Sequence, residues 1–151
     1  MDLEATIMSM KSRVKDESGQ ALVEAALVLP VILLVVFGVV MAGRLSHTKV
    51  AVQAAAREAS RALATAPSEQ QGLTEARDRG QAVAEGYGLS GERLTLEVRS
   101  NGFERGGAAT AEVTYRVPLG DLPLLKMVDI SVSSKHSERI DLYRSREVVA
   151  R

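Results

Sequence analysis

The residues best placed to do chemistry stand where the polar start of the chain gives way to a long apolar run. Gly19 marks the junction, Glu24 follows five residues on, and no charge occurs from Ala25 to Gly43. A carboxylate here needs an explanation, because a charge at the centre of a membrane helix costs about 2.5–3.5 kcal/mol on insertion scales. Two explanations are open. Glu24 stands only roughly 6–8 Å along a helix from Gly19, close enough to the end of a span to snorkel to the interface. Alternatively, a cut after Gly19 makes Gln20 a new amino terminus and puts Glu24 at the fifth position of the mature chain. There it can pair with a neighbouring subunit's ammonium, which offsets its desolvation.

Elsewhere the residue types argue against catalysis. Two histidines, His47 and His136, are too few for a multi-histidine metal site, and neither has a carboxylate at ligand spacing on one helix face. Each reads as a surface or interface polar group. The absence of cysteine excludes a disulfide framework, thiol catalysis and cysteine-based metal centres. No P-loop, dinucleotide fingerprint, Gly-x-Ser-x-Gly elbow or paired-carboxylate pattern is present. The expectation is a protein that is not an enzyme, with no catalytic residues, no metal and no cofactor. Net charge is zero and Lys and Arg are scattered, so no nucleic-acid partner is expected. Only two Phe and three Tyr accompany abundant Ala and Val, a composition suited to close helix packing rather than an aromatic-lined pocket.

The element that positions Gly19 and Glu24 is the apolar run itself. Residues 25–43 give a helix of about 28 Å, close to the hydrocarbon thickness of a bilayer. Residues 20–43 therefore read as one membrane span, with membrane lipid as its surroundings. The run exceeds the apolar core of a cleavable secretory signal, although Val40-Met41-Ala42 fits a signal-peptidase site and keeps that reading open. Residues 1–19 form a mixed-charge leader that starts no fold. Lys11, Arg13 and Lys15 favour a cytoplasmic leader, while Arg44, Lys49, Arg57 and Arg61 compete from beyond the span. Inside the span Pro30 lacks a donor and is expected to kink the helix. Gly38 and Ala42, like Ala21 and Ala25, are spaced four apart and offer small faces for helix packing.

Beyond the span the pattern predicts a small α+β domain. Residues 44–66 continue as a helix out of the membrane, with Leu45, Val52, Ala55, Ala56, Ala59 and Leu63 on one stripe, ended by Pro67. That stripe requires a partner, either the chain's own C-terminal part or a helix of an assembly. In residues 67–151, a short second helix is expected at 73–85, capped by Thr74 and interrupted by Gly80. Leu94, Leu96 and Val98 alternate with Thr95, Glu97 and Arg99, and a second run alternates from Ala109 to Val117, giving an antiparallel hairpin. An apolar loop at 119–125 leads to a third strand from Asp129 to about His136. The tail from Glu138 reads as a frayed helix or a strand extension. The expected plan is a long N-terminal helix packed on a small antiparallel sheet.

The string Gly19-Gln-Ala-Leu-Val-Glu24-Ala-Ala-Leu-Val-Leu-Pro30, the apolar run, Gly43-Arg44 and Gln53-Ala-Ala-Ala-Arg-Glu-Ala-Ser-Arg61 resembles the TadE-like pseudopilins of tight-adherence (Flp) pilus systems. The similarity is clearest over residues 18–66. It implies a minor pilin or pseudopilin of the inner membrane, with its N-terminus cytoplasmic and its C-terminal domain extracytoplasmic. Its implied partners are a prepilin peptidase, other pilin-like subunits and the assembly machinery, in the service of adhesion. By resemblance the peptidase cuts between Gly19 and Gln20, and Glu24 belongs to the processing and assembly motif. One departure is visible: many pilin-like substrates carry an aromatic residue after the glutamate, where this chain has Ala25. The competing reading is an unprocessed, single-pass envelope binding or scaffold protein.

Overall fold

A computed structural model describes residues 3–118 and 130–140, with side chains from residue 19 onward. The chain is α+β. Helix α1 (Leu3–Thr65) is followed by α2 (Glu69–Gly86), a short turn of 3-10 helix (Gly91–Arg93) and strands β1 (Leu94–Asn101), β2 (Ala108–Val117) and β3 (Ile130–Arg139). The strands form one antiparallel sheet in the order β1-β2-β3. Two compact units divide the chain, Met1–Ala42 and Gly43–Arg151.

The first unit is helical from Leu3, so backbone that was expected to start no fold is already part of α1. The reason is local: no Gly or Pro occurs between Leu3 and Ser18, and Ala, Met, Lys, Arg and Glu supply helix propensity. Pro30 sits within α1, which stays helical through it. Along the apolar run the large side chains face outward all round, with Leu22 72 % and Leu34 66 % exposed. A helix apolar on every side needs an apolar surrounding, and Gly19–Thr65 is the one stretch among the described residues long and apolar enough to cross a membrane.

The second unit is built on the rest of α1. Ala51, Val52, Ala55, Ala56, Ala59 and Leu63 are buried there, while Arg57 and Arg61 stay exposed, as the stripe requires. The partner of the lower stripe is the chain's own C-terminal part: Ala59, Leu63, Ala76, Val98, Ala111 and Ile140 share one core cluster.

Helix α2 differs from expectation at its start and in its middle. Ser68, not Thr74, caps it, accepting from the Gln71 backbone N–H, and Thr74 Oγ1 instead donates back to the Gln70 carbonyl. Gly80 does not interrupt the helix. Gly72, Ala76, Gly80 and Ala84 recur every fourth residue and are all buried, so the glycines serve close approach rather than a turn. A Cβ on Gly72 would come within 2.8 Å of Ala66 Cβ and 2.9 Å of Leu63 Cδ1, and one on Gly80 within 3.0 Å of both Ala59 Cβ and Leu96 Cδ1. On the surface Arg79 donates to Glu58 of α1 at 3.3 Å and to Glu75 at 2.6 Å. The hydrogen bond to Glu58, then the charge of Glu75, push the Arg79 pKa up, yet the pair is too exposed to hold the helices together.

The sheet follows the predicted alternation in its first two strands. Leu96 pairs with Val113 and Val98 with Ala111, placing Ala109, Ala111, Val113, Tyr115 and Val117 on the buried face. Gly102 (φ 69°) and Gly106 (φ 81°) turn the hairpin in a conformation that other residues rarely adopt. Strand β3 runs to Arg139, three residues past the expected end, so Glu138 and Arg139 are strand and the frayed-helix alternative fails for them. It was hard to bound because its partly buried face changes from Ile130 and Val132 to Ser134, His136 and Glu138. Ile140 closes the strand: its N–H donates to the Gly107 carbonyl at 2.8 Å and its carbonyl accepts from Gly106 at 3.1 Å. The expected loop at 119–125, Asp129 and the tail from 141 lie outside the described residues.

Replacing Gly80 by Leu is expected to destabilise the second unit by about 1–3 kcal/mol through overpacking against Ala59 and Leu96. Gly86→Ala, where nothing lies within 4 Å of the added methyl, should shift stability by no more than about 0.5 kcal/mol. Chemical denaturation of the detergent-solubilised chain checks both; equal midpoints would show that the α1–α2 approach is not tight.

Candidate processing and assembly site

Gly19, Gln20 and Glu24 lie on consecutive turns of α1 and all three are exposed. No atom lies within 4 Å of where a Gly19 Cβ would stand. The bond after Gly19 is inside a helix, whereas a protease needs its scissile bond extended. Glycine eases the unwinding, since it disfavours a helix interior by roughly 1 kcal/mol relative to Ala. Glu24 projects roughly 140° round the helix from Gly19, so the carboxylate does not cover the Gly19–Gln20 bond.

The three packing residues do not form one face. Gly38 and Ala42 are one turn apart on the same side, while Pro30 lies roughly 80° round the helix from Gly38. Space around Gly38 is open, with nothing within 4 Å of an added Cβ. Pro30 has no N–H for the Ala26 carbonyl four residues earlier, which leaves an acceptor that a neighbouring helix can use. Among the described residues, no three His, Cys, Asp or Glu side chains are grouped to hold a metal ion.

The family model of TadE-like proteins matches residues 19–61. This segment of the chain is TadE-like. The match begins on Gly19, takes in Glu24 and the apolar run, and ends on Arg61, four residues short of the end of α1. Among the described residues, the one long apolar helix inside this match fits single-pass membrane anchoring. No curated protein and no solved structure matches the chain.

Sequence reasoning missed a cleft in the second unit, where α1, the end of α2 and the end of β2 meet around about 580 Å³. Arg44 Nη1 donates to the Pro118 carbonyl at 3.2 Å. His47 Nε2 is 3.0 Å from the Tyr87 carbonyl oxygen, to which it donates, and the two rings meet edge to face with centroids 6.0 Å apart. Arg44, His47 and Thr48 share one side of α1 at three- and four-residue spacing, a signal visible in the sequence. Tyr87, Arg93 and Tyr115 come from turns and strand ends whose convergence no local pattern announces. His136 is elsewhere, on β3, with its Nε2 3.7 Å from Glu138 Oε1.

Gly38→Leu should leave the stability of the second unit within about 0.5 kcal/mol, because the position touches nothing in the monomer. If Gly38 and Ala42 form a packing face, the same variant should weaken self-association in vesicles by roughly threefold or more, read by energy transfer between labelled chains. Unchanged transfer would remove that face from the assembly.

Proposed function

We propose that the chain is a pseudopilin or minor pilin of the tight-adherence pilus, cut after Gly19 by a membrane-embedded prepilin peptidase. Residues 1–19 are cytoplasmic, residues 20–43 cross the inner membrane and the second unit is extracytoplasmic. The processed chain joins other pilin-like subunits or their assembly machinery and so contributes to adhesion. It is a substrate and a building block, and does no catalysis of its own. The observation that carries this reading is the start of the TadE-like match on Gly19, with Glu24 and the whole apolar run inside it.

The chemistry supports the same roles. Cleavage turns the Gln20 amide nitrogen into an ammonium and leaves Glu24 about a turn and a half inside the new end. In one isolated helix neither charge has a partner, but in a bundle of staggered copies the Glu24 carboxylate of one meets the ammonium of the next. An ion pair between desolvated groups fixes register more than it adds stability. Apolar packing in lipid cannot set that register, since any slide of two Leu- and Val-rich helices offers similar contacts.

Two measurements test the proposal. Intact mass and N-terminal sequencing of the membrane-purified protein should give a start at Gln20 in a host with the peptidase and at Met1 without it. A start at Met1 in both hosts would support the unprocessed anchored protein, and a start at Gly43 a secreted domain. Glu24→Ala should insert and be cut normally yet impair piliation; normal piliation would sink the pairing role.

A further inference from the structure

We propose that the cleft of the second unit lined by Arg44, His47 and Arg93 binds the phosphate of a phospholipid headgroup, with anionic lipids preferred. The proposal rests on the single-pass anchoring of the chain but not on cleavage after Gly19 or on pilus assembly.

Position along α1 is the first argument. Arg44 and His47 follow the last residue of the apolar run by one and four positions, so they lie within about 6 Å of its end along the helix. In an anchored chain that is headgroup depth, where phosphates are concentrated and bulk water is not yet reached.

Charge is the second. Of the ten residues lining the cleft two are arginines and one a histidine, and none is Asp or Glu. Arg93 is exposed, and among the described residues no carboxylate forms an ion pair with it. Arg44 is held by the Pro118 carbonyl and His47 by the Tyr87 carbonyl, so both side chains are oriented before a ligand arrives. Guanidinium groups bind phosphate oxygens through paired N–H donors, and pre-orientation lowers the entropy lost on binding.

The third argument is the aromatic lining. Two of the chain's three tyrosines, Tyr87 and Tyr115, are in this cleft. Tyr115 is buried and Tyr87 is 39 % exposed, giving an apolar wall with a wet rim. Tyrosine is enriched at the membrane interface because its ring and hydroxyl suit the two media there. A volume of about 580 Å³ accommodates a phosphodiester with its glycerol.

The test uses the full chain in nanodiscs of phosphatidylcholine with and without phosphatidylglycerol, as wild type, Arg93→Gln and Arg93→Lys. Native mass spectrometry after mild release from the nanodisc counts retained lipid. Wild type should keep phosphatidylglycerol in preference to phosphatidylcholine, Arg93→Gln should lower that retention by about tenfold, and Arg93→Lys should restore part of it. Retention should also fall with added salt. Equal retention by wild type and Arg93→Gln, or no preference between the two lipids, would overturn the proposal. So would inorganic phosphate binding to the lipid-free, detergent-solubilised chain as well as the lipid does, which would make the cleft a site for a soluble anion. Flotation and intact mass of the same samples report anchoring separately, so a chain that has lost its span is recognised as a failure of the anchor rather than of the cleft.

Discussion

The close approach of backbones along the alanine face of α1 is the constraint on which the second unit depends. A three-stranded sheet with one apolar face does not stand alone in water, and an 18-residue helix with a thin apolar face is marginal by itself. Both need a surface, and α1 supplies one made largely of Ala51, Ala55, Ala56, Ala59 and Ala62. Alanine adds little area per residue, so it stabilises by allowing partners near. Gly72 and Gly80 are the complement: only a residue without Cβ lets α2 settle against Ala66, Leu63 and Ala59 at the distances observed. The larger buried side chains, Leu63, Val52, Val113 and Ile140, then fill what the small ones leave open.

The same requirement decides what could be read from the sequence. Periods generated by one burying surface were legible: the stripe of α1 from Val52 to Leu63, and the alternation of β1 and β2. Glycine was misread where its role was tertiary. Gly80 looks like a breaker along the chain, but its cost in helix propensity is offset by packing that only the folded unit reveals. The reach of β3 was obscured for a related reason, since Ser134, His136 and Glu138 occupy half-buried positions at a sheet edge, where partial water access tolerates polar groups. Gly19, Gln20 and Glu24 stand out in the sequence because their signal is linear, a charge and a glycine at a polar-to-apolar junction. The cleft does not, because four separate stretches of chain contribute to it.

Within the first unit, magnitudes decide how Glu24 is tolerated. Twelve Leu, Ile, Val and Phe residues between Leu27 and Val40 favour insertion by up to roughly 4–7 kcal/mol. That exceeds the cost of one carboxylate even at mid-bilayer, and Glu24 is near the end of the run, where the cost is lower. Anchoring therefore leaves Glu24 available for pairing without requiring it. Specific association has fewer resources: an all-round apolar surface offers no preferred side, so Gly38, Ala42, Pro30 and Glu24 are the features that distinguish one face from another.

The end of the TadE-like match at Arg61 has a physical counterpart. Up to that residue the chain carries a glycine at the junction, a carboxylate five residues on, an uncharged run of bilayer length, then an alanine face on a helix. Past it, α2 and the sheet need only complement that face, and many combinations of Gly, Ala, Val and Leu will do so. Sequence similarity should therefore fade where the requirement changes from defined side chains to a defined shape. The residues beyond the match, among them Tyr87, Arg93 and Tyr115, are then the ones that α1 holds in place but does not determine.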